Sequence, residues 1–225
     1  MMGRPPVIVK ERVAEVTLRL IDDEGLEAVS IERIASELGV RGPSLYHHFA
    51  DKAAILTEVA RLVLGDLDLE RPGDDWQQWM VETCMTVYRR VLEHPKAAVI
   101  LLQFLPDNSA VPGFGRASQL LTDAGVDPAL QVLLMEGTEK IAWGWAIQRA
   151  VAAEHSNRLK PSSIPKRFPE LAAAVRESRW DDDGLVEASL RAFMQGVIDG
   201  HVETPKPLSR PGRNGTRPAR SAVSS

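Results

Sequence analysis

Hydrophobic positions recur every three or four residues along most of the chain, and no alternating strand pattern competes with them. Val9, Val13, Val16 and Leu20 form the inward stripe of a first helix, which Gly25 ends. A shorter second helix follows. Ser30 caps it by accepting from a backbone N–H three residues on, and Ile31, Ile34, Ala35 and Leu38 fall at i, i+3, i+4 and i+7. Gly39 stands just past that stripe, where glycine tolerates the left-handed backbone that ends a helix, and Val40 plugs the corner. Pro43 fits the first turn of a third helix, whose Leu45 and Phe49, four apart, anchor one side and leave the other to a partner. Asp51 caps the next helix, which the pattern carries towards Leu69 until Arg71, Pro72 and Gly73 break it.

Further on, the spacing predicts a helix over 75–93, a stop at His94 and Pro95, and an apolar helix to Leu105. Pro106, Pro112, Gly113 and Gly115 then read as a loop, before a short helix that ends near Gly125. Asp127 and Pro128 open the longest helical run, to about Glu154. Pro169 to Glu177 reads as a short helix, and the aspartates at 181–183 favour the N-terminus of a last one, running to about Val202 before Pro205. The fold class is all-α. An N-terminal three-helix unit in helix-turn-helix order precedes a larger helical domain.

The free side of the third helix carries Arg41, Gly42, Ser44, Tyr46, His47 and His48, with Lys52 behind the cap of the next. These small or hydrogen-bonding groups suit base edges and phosphates in a major groove. The run Gly42-Pro43-Ser44-Leu45-Tyr46-His47-His48-Phe49-Ala50-Asp51-Lys52, preceded by Ile34-Ala35-Ser36-Glu37-Leu38-Gly39-Val40, resembles the DNA-binding domain of TetR-family transcriptional regulators. The resemblance is close over the first quarter of the chain and architectural beyond it.

It implies that Tyr46 and Lys52 contact phosphates, and Ser30 and Arg33 sit at a helix N-terminus that would face the backbone. Arg41, Gly42, Ser44 and His47 are the candidates for base readout, Gly42 by permitting close approach. His48 either bonds a phosphate or covers the helix end. The expected division is a DNA-binding domain over 1–52, a connecting helix over 53–70, a ligand-binding and dimerisation domain over 71–203 and a disordered basic tail over 204–225.

Charge complicates this picture. The formal net charge is -4, and residues 1–60 hold 7 Lys/Arg against 10 Asp/Glu. What matters for phosphate contact is position. Arg4, Lys10, Arg33, Arg41 and Lys52 fall at helix ends or in the motif, whereas Asp22, Asp23, Glu24 and Glu27 cluster at the far end of the first helix. Affinity for DNA should be modest and salt-sensitive.

The last helix bears Leu185, Ala188, Ser189, Ala192, Phe193, Gly196, Val197 and Gly200 at spacings of three and four. Small residues there let another helix approach closely. The stripe alone fits packing within the domain as well as a dimer seam. The resemblance favours a homodimer, in which Ala188, Ala192, Phe193, Gly196 and Val197 meet the partner, since the last two long helices of such proteins pair with the partner's. Large side chains at helical spacing in the middle of the chain are mostly core. By the same resemblance some of them line an effector pocket, and Trp79, Thr83, Tyr88, Gln103, Phe104, Trp143 and Ile147 are the candidates, with Glu136 and Gln148 as further polar anchors.

The 225 residues and a 44% hydrophobic share suffice for one small and one larger helical domain. No secretory signal and no run of about 18 apolar residues occurs, so a cytoplasmic protein without a membrane partner is expected. The single cysteine, Cys84, excludes an internal disulfide and reads as a small buried hydrophobe rather than a redox sensor. No His/Cys spacing suits zinc, so neither metal nor cofactor is expected. No G-x-S-x-G, H-E-x-x-H, G-x-G-x-x-G or phosphate-binding loop is present, so no catalytic residues are assigned and an enzyme is not expected.

The tail, with five Lys/Arg and no acid over 204–225, either adds non-specific DNA affinity or is a solvated terminus. The expected function is a repressor that binds double-stranded DNA at a palindromic operator as a homodimer and is released by a small apolar or aromatic effector. The alternative is a ligand-binding or scaffold protein of the same fold that has lost specific DNA binding.

Overall fold

The computed structural model describes residues 9–65, 67–68, 75–106, 108–152 and 160–200, and among these every regular element is helical. Four helices build the N-terminal unit: α1 (Lys10–Glu24), α2 (Ile31–Leu38), α3 (Gly42–Leu45) and α4 (Lys52–Leu64). Six more follow: α5 (Trp76–Glu93), α6 (Ala98–Phe104), α7 (Val111–Asp123), α8 (Pro128–Val151), α9 (Pro169–Glu177) and α10 (Asp182–Ile198). No helix among the described residues is long and apolar enough to cross a membrane.

Aspartate and serine caps start five of these helices. The side chains of Ser30, Asp51, Asp75, Asp127 and Asp181 accept backbone N–H groups of Arg33, Ala54, Gln77 and Gln78, Ala129 and Gly184. Each cap contributes on the order of 1 kcal/mol by satisfying a donor the helix cannot. Gly39 ends α2 at φ 69, and Val40 N–H returns to the Ala35 carbonyl at 2.9 Å. That closure sets the tight turn between α2 and α3.

In the N-terminal unit α1 lies across α4 and α2, and α2 across α3. Val13, Val16, Leu20 and Ile21 of α1 meet Ile34, Leu45, Phe49, Ile55 and Val59 in one buried cluster. Each such side chain contributes roughly 1.5–3 kcal/mol by leaving water. Val9 does not join the stripe expected of it. It precedes α1 as its cap residue and is 47% exposed.

The larger domain is organised about α8, which packs along α5 and α10, with α6 and α7 on its flanks. Tyr88, Ile100, Leu121, Leu134, Leu190 and Met194 are fully buried there. At the N-terminus of α10, Asp183 accepts from the Tyr88 hydroxyl at 3.2 Å, from Arg149 Nη1 at 3.2 Å and from Arg89 Nε at 3.4 Å. Arg149 also donates to the Tyr88 hydroxyl, so one cluster ties α5, α8 and α10 together. Of the three aspartates, Asp181 is the cap residue, its side chain accepting the Gly184 N–H at 2.7 Å.

Several predicted boundaries are corrected. The helix after Asp51 stops at Leu64 rather than near Leu69 or 70, because Gly65 turns the backbone to φ 57. A Cβ on Gly65 would stand 3.0 Å from Arg90 Nη1, so the chain at this point lies directly against α5. Pro112, Gly113 and Gly115 belong to α7 rather than to a loop. Pro112 sits in the first turn, where it forfeits no hydrogen bond, and burial of Ala117, Leu120 and Leu121 outweighs the poor propensity of the two glycines. α8 ends at Val151 rather than near Glu154, and α10 ends at Ile198 rather than near Val202, with Gly200 turning the backbone to φ 74; Arg4 and the basic tail lie outside the described residues.

Candidate functional site

α3 is held from one side only. Leu45 is fully buried and Phe49 is 4% exposed, while Arg41, Tyr46, His47 and His48 are exposed and Gly42 and Ser44 are half-buried. The backbone beyond Leu45 continues as a turn, with His48 and Phe49 N–H both returning to the Leu45 carbonyl at 2.9 Å. Six adjacent candidates therefore share one surface. A Cβ on Gly42 would meet nothing within 4 Å, and its φ is not in the left-handed region. The fold itself does not demand glycine there.

The flanking cations are differently placed. Lys52 Nζ donates to the Val29 carbonyl at 2.5 Å, which ties the start of α4 to the turn before α2. Arg33 is clamped between two carboxylates, with Nη2 2.7 Å from Glu24 and Nη1 2.8 Å from Glu37. Glu24, then Glu37, hold the guanidinium above its ordinary pKa, and Arg33 in turn pulls Glu37 down. Both branches of the Arg33 guanidinium are thus engaged by carboxylates, and the acidic end of α1 is not remote from it, since Glu24 reaches across to α2. Ser30 spends its oxygen on the Arg33 N–H and remains exposed.

The rest of that acidic end meets the larger domain. His94 Nδ1 is 2.8 Å from Asp22 Oδ2, and Lys96 Nζ donates to the carbonyls of Asp22 at 2.7 Å and Asp23 at 3.0 Å. α1 is fastened in this way to the turn between α5 and α6.

A cavity of about 110 Å³ opens between α5, α7 and α8. Trp79, Met80, Thr83, Cys84 and Val87 supply one wall and Met135, Thr138, Glu139, Ala142 and Trp143 the other, with Gly113, Phe114 and Ala117 of α7 across them. Leu64, the last residue of α4, also lines it. Of the expected pocket residues, Trp79, Thr83 and Trp143 are on this wall and Tyr88, Gln103, Phe104 and Ile147 are not. Tyr88 is buried in the Arg149–Asp183 cluster, and Gln103, Glu136 and Gln148 are exposed. Burial raises the Cys84 thiol pKa to about 12, opposed by a hydrogen bond with Thr138.

Comparison with known proteins agrees with this arrangement. A family model described as bacterial regulatory proteins, tetR family, matches residues 14–59. The class C tetracycline repressor protein of Escherichia coli is 31% identical over 201 residues, which cover 84% of this chain and 90% of that protein. The chain belongs to the TetR family. The class D tetracycline repressor protein of Escherichia coli is 23% identical over 193 residues, 84% of this chain and 85% of its own.

Among solved structures, the TetR family protein ActR of Streptomyces coelicolor, in complex with actinorhodin, superposes with a TM-score of 0.70 at 23% identity, covering 88% of this chain and all of its own. A TetR variant of Acinetobacter baumannii AYE in complex with minocycline gives 0.71 at 18%, covering 91% of this chain and all of its own. This TetR-family chain is accordingly a DNA-binding transcriptional regulator with a helix-turn-helix domain followed by a larger helical domain.

In this TetR-family fold the stripe on α10 divides. Val197 is 1% exposed within the chain, and the Phe193 ring covers Gly137 of α8 so closely that a Cβ there would lie 2.2 Å from Phe193 Cζ. Val197 is spent inside the molecule, whereas Phe193 packs on α8 and stays half-buried. Ala188, Ala192 and Gly196, at i, i+4 and i+8, keep exposed or half-buried positions. Sequence reasoning missed most of the cavity wall. On α5 the signal was present as residues 79, 80, 83, 84 and 87, spaced three and four apart, but it includes a threonine and a cysteine among larger groups.

Proposed function

We propose that this regulator is a homodimeric repressor whose two α3 surfaces dock in successive major grooves of a palindromic operator, and that an apolar effector in the cavity releases it. The observation that carries the first part is the single-sided anchoring of α3: Leu45 and Phe49 face inward and Arg41, Ser44, Tyr46 and His47 share the open side. One such surface reads few base pairs, and a two-fold pair reads a palindrome. The outward strip of Ala188, Ala192 and Gly196 on α10 is the seam that brings two copies together. On this reading residues 1–52 read DNA, the next helix connects and residues 71–203 hold ligand and partner.

Release follows from where the cavity sits. α4 begins at Lys52 beside the motif and ends at Leu64 in the cavity wall, 13 residues or about 20 Å away. A ligand that favours a different position of Leu64 therefore tilts the same helix that carries the DNA-binding unit. It shifts the spacing of the two heads by its differential affinity for the two arrangements.

Selection of bound fragments from the source genome with purified protein, then titration of the best fragment at two salt concentrations, tests the proposal. A palindromic site bound by two chains supports it. Recovery of only salt-labile, sequence-indifferent fragments would instead favour a ligand-binding protein that has lost its operator.

A further inference from the structure

The cavity wall has an uneven supply of hydrogen-bonding groups. Thr83 donates its hydroxyl to the Trp79 carbonyl at 2.9 Å, and Thr138 donates to the carbonyls of Leu134 at 2.7 Å and Met135 at 3.1 Å. These hydroxyls are turned back onto their own helices. Trp79 is 5% exposed and lines the cavity, yet its indole Nε1–H is buried with no acceptor among the described residues. Buried donors in native structures are nearly always paired, so an unpaired one in a cavity wall marks where a ligand acceptor belongs.

Charge narrows the class further. Among the described residues the wall holds no lysine, arginine or histidine, and its one ionic group is Glu139. The Glu139 carboxylate is paired with the outward-facing Lys140. An anionic ligand would enter an apolar space with no compensating cation and with a carboxylate at its edge, which desolvation and like charge both oppose. A cationic one would have to displace Lys140.

We propose that the cavity selects an uncharged apolar ligand carrying an oxygen acceptor, with the Trp79 indole N–H donating to that oxygen. This rests on the reading of the cavity as the effector site. It adds what distinguishes one ligand from another there. Trp79 is then a specificity-determining residue whose ring packs against the apolar body and whose N–H reads the oxygen.

The test uses four bicyclic probes of similar size with the full-length protein: 1-tetralone, tetralin, 1-naphthoate and 1-aminotetralin. Their dissociation constants are measured by calorimetry, in parallel with release of the operator fragment. 1-Tetralone should bind roughly tenfold tighter than tetralin, the size of one buried hydrogen bond, and the two charged probes more weakly than either. Trp79→Phe should erase the advantage of the ketone and leave tetralin affinity unchanged, which also shows that the variant folds.

Equal binding of ketone and hydrocarbon, tightest binding by a charged probe, an advantage that survives Trp79→Phe, or no binding by any probe would each overturn the proposal. Ketone selectivity without release of DNA would sink the effector reading and leave the Trp79 assignment standing. Release by ketone and hydrocarbon alike at equal concentration would do the reverse.

Discussion

His94 Nδ1 lies 2.8 Å from Asp22 Oδ2, across a sequence separation of 72 residues. With Lys96 donating to the Asp22 and Asp23 carbonyls, it joins the C-terminal end of α1 to the turn between α5 and α6. The DNA-binding unit is thus held to the larger domain here as well as along α4. A signal from the cavity that moves α4 must work against this second fastening. Both side chains are about a third exposed, so the pair contributes modestly, about 0.5–1.5 kcal/mol.

His94→Ala should therefore lower the melting temperature by only about 2–4 °C. Its larger effect should appear in coupling, as a changed ratio between operator affinity with and without effector. Calorimetric melting together with fluorescence anisotropy checks both, and an unaltered ratio would remove this contact from the signalling route.

Gly42 offers a sharper separation of fold from function. Nothing stands within 4 Å of a Cβ at this position and its backbone is not left-handed, so Gly42→Ala should fold with an unchanged melting temperature. If the α3 surface is pressed against base edges, the added methyl group should weaken operator binding about tenfold or more. Wild-type affinity in the alanine variant would show that the backbone here is not approached closely.

Tyr46 and the pair Ser44 and His47 should behave differently under substitution. Tyr46 is 56% exposed, and Tyr46→Phe removes only a hydroxyl. Loss of a phosphate contact should weaken binding to operator and unrelated DNA by similar factors, whereas Ser44→Ala or His47→Ala should change which sequences are preferred. Binding to a panel of single-base operator variants reads the difference. Lys52 is less clean as a probe, since its ammonium also holds the Val29 carbonyl and its removal disturbs the turn itself.

What the amino-acid pattern reveals and what it hides follow from the range of the interactions involved. Ser30, Asp51, Asp75, Asp127 and Asp181 act on donors two or three residues away, and apart from Asp75, which reads as the first helical residue, these caps are legible from order alone. The anchoring of α3 by Leu45 and Phe49 is likewise a matter of local spacing. Arg33 is not: its partner Glu24 is nine residues off, on another helix. The start of α7 was hidden because Gly113 and Gly115 oppose it locally while the packing of the helix against α5 and α8 supports it. The cavity is the most instructive case. Large aromatic residues suggest a pocket, yet a cavity forms where facing side chains are short, and here those are Cys84, Gly113, Ala117 and Ala142.

Gly137 and Phe193 set how closely α8 and α10 approach, and therefore the shape of the proposed seam. Alanine at 137 would place its methyl carbon 2.2 Å from Phe193 Cζ and 2.5 Å from Cε1. The ring has to move, at a cost of about 1–3 kcal/mol, which outweighs or matches the gain of about 1 kcal/mol in helix propensity. Gly137→Ala should lower stability and, if the seam is where copies meet, weaken the dimer in sedimentation. Adding Phe193→Leu should restore part of both losses, because the shorter side chain leaves room for the methyl group. Additive losses in the double variant would mean the two positions do not act through this contact.

Cys84 provides a pH test of the cavity wall. Burial raises its thiol pKa from 9.0 to about 12, the hydrogen bond with Thr138 opposing the rise and the nearby Glu139 charge adding to it. The folded state therefore holds the proton more tightly than the unfolded state, whose thiol ionises near 9. The stability this represents is fully present below pH 9 and is progressively lost as pH rises towards 12. At neutral pH the thiol is protonated and a poor nucleophile. Native protein should then react with iodoacetamide far more slowly than urea-unfolded protein. Cys84→Ala should flatten the decline in denaturation midpoint between pH 9 and the alkaline limit of the folded state. Rapid alkylation of the folded protein at pH 7 would instead mark Cys84 as an accessible thiolate, and a chemical sensor in the wall of the cavity.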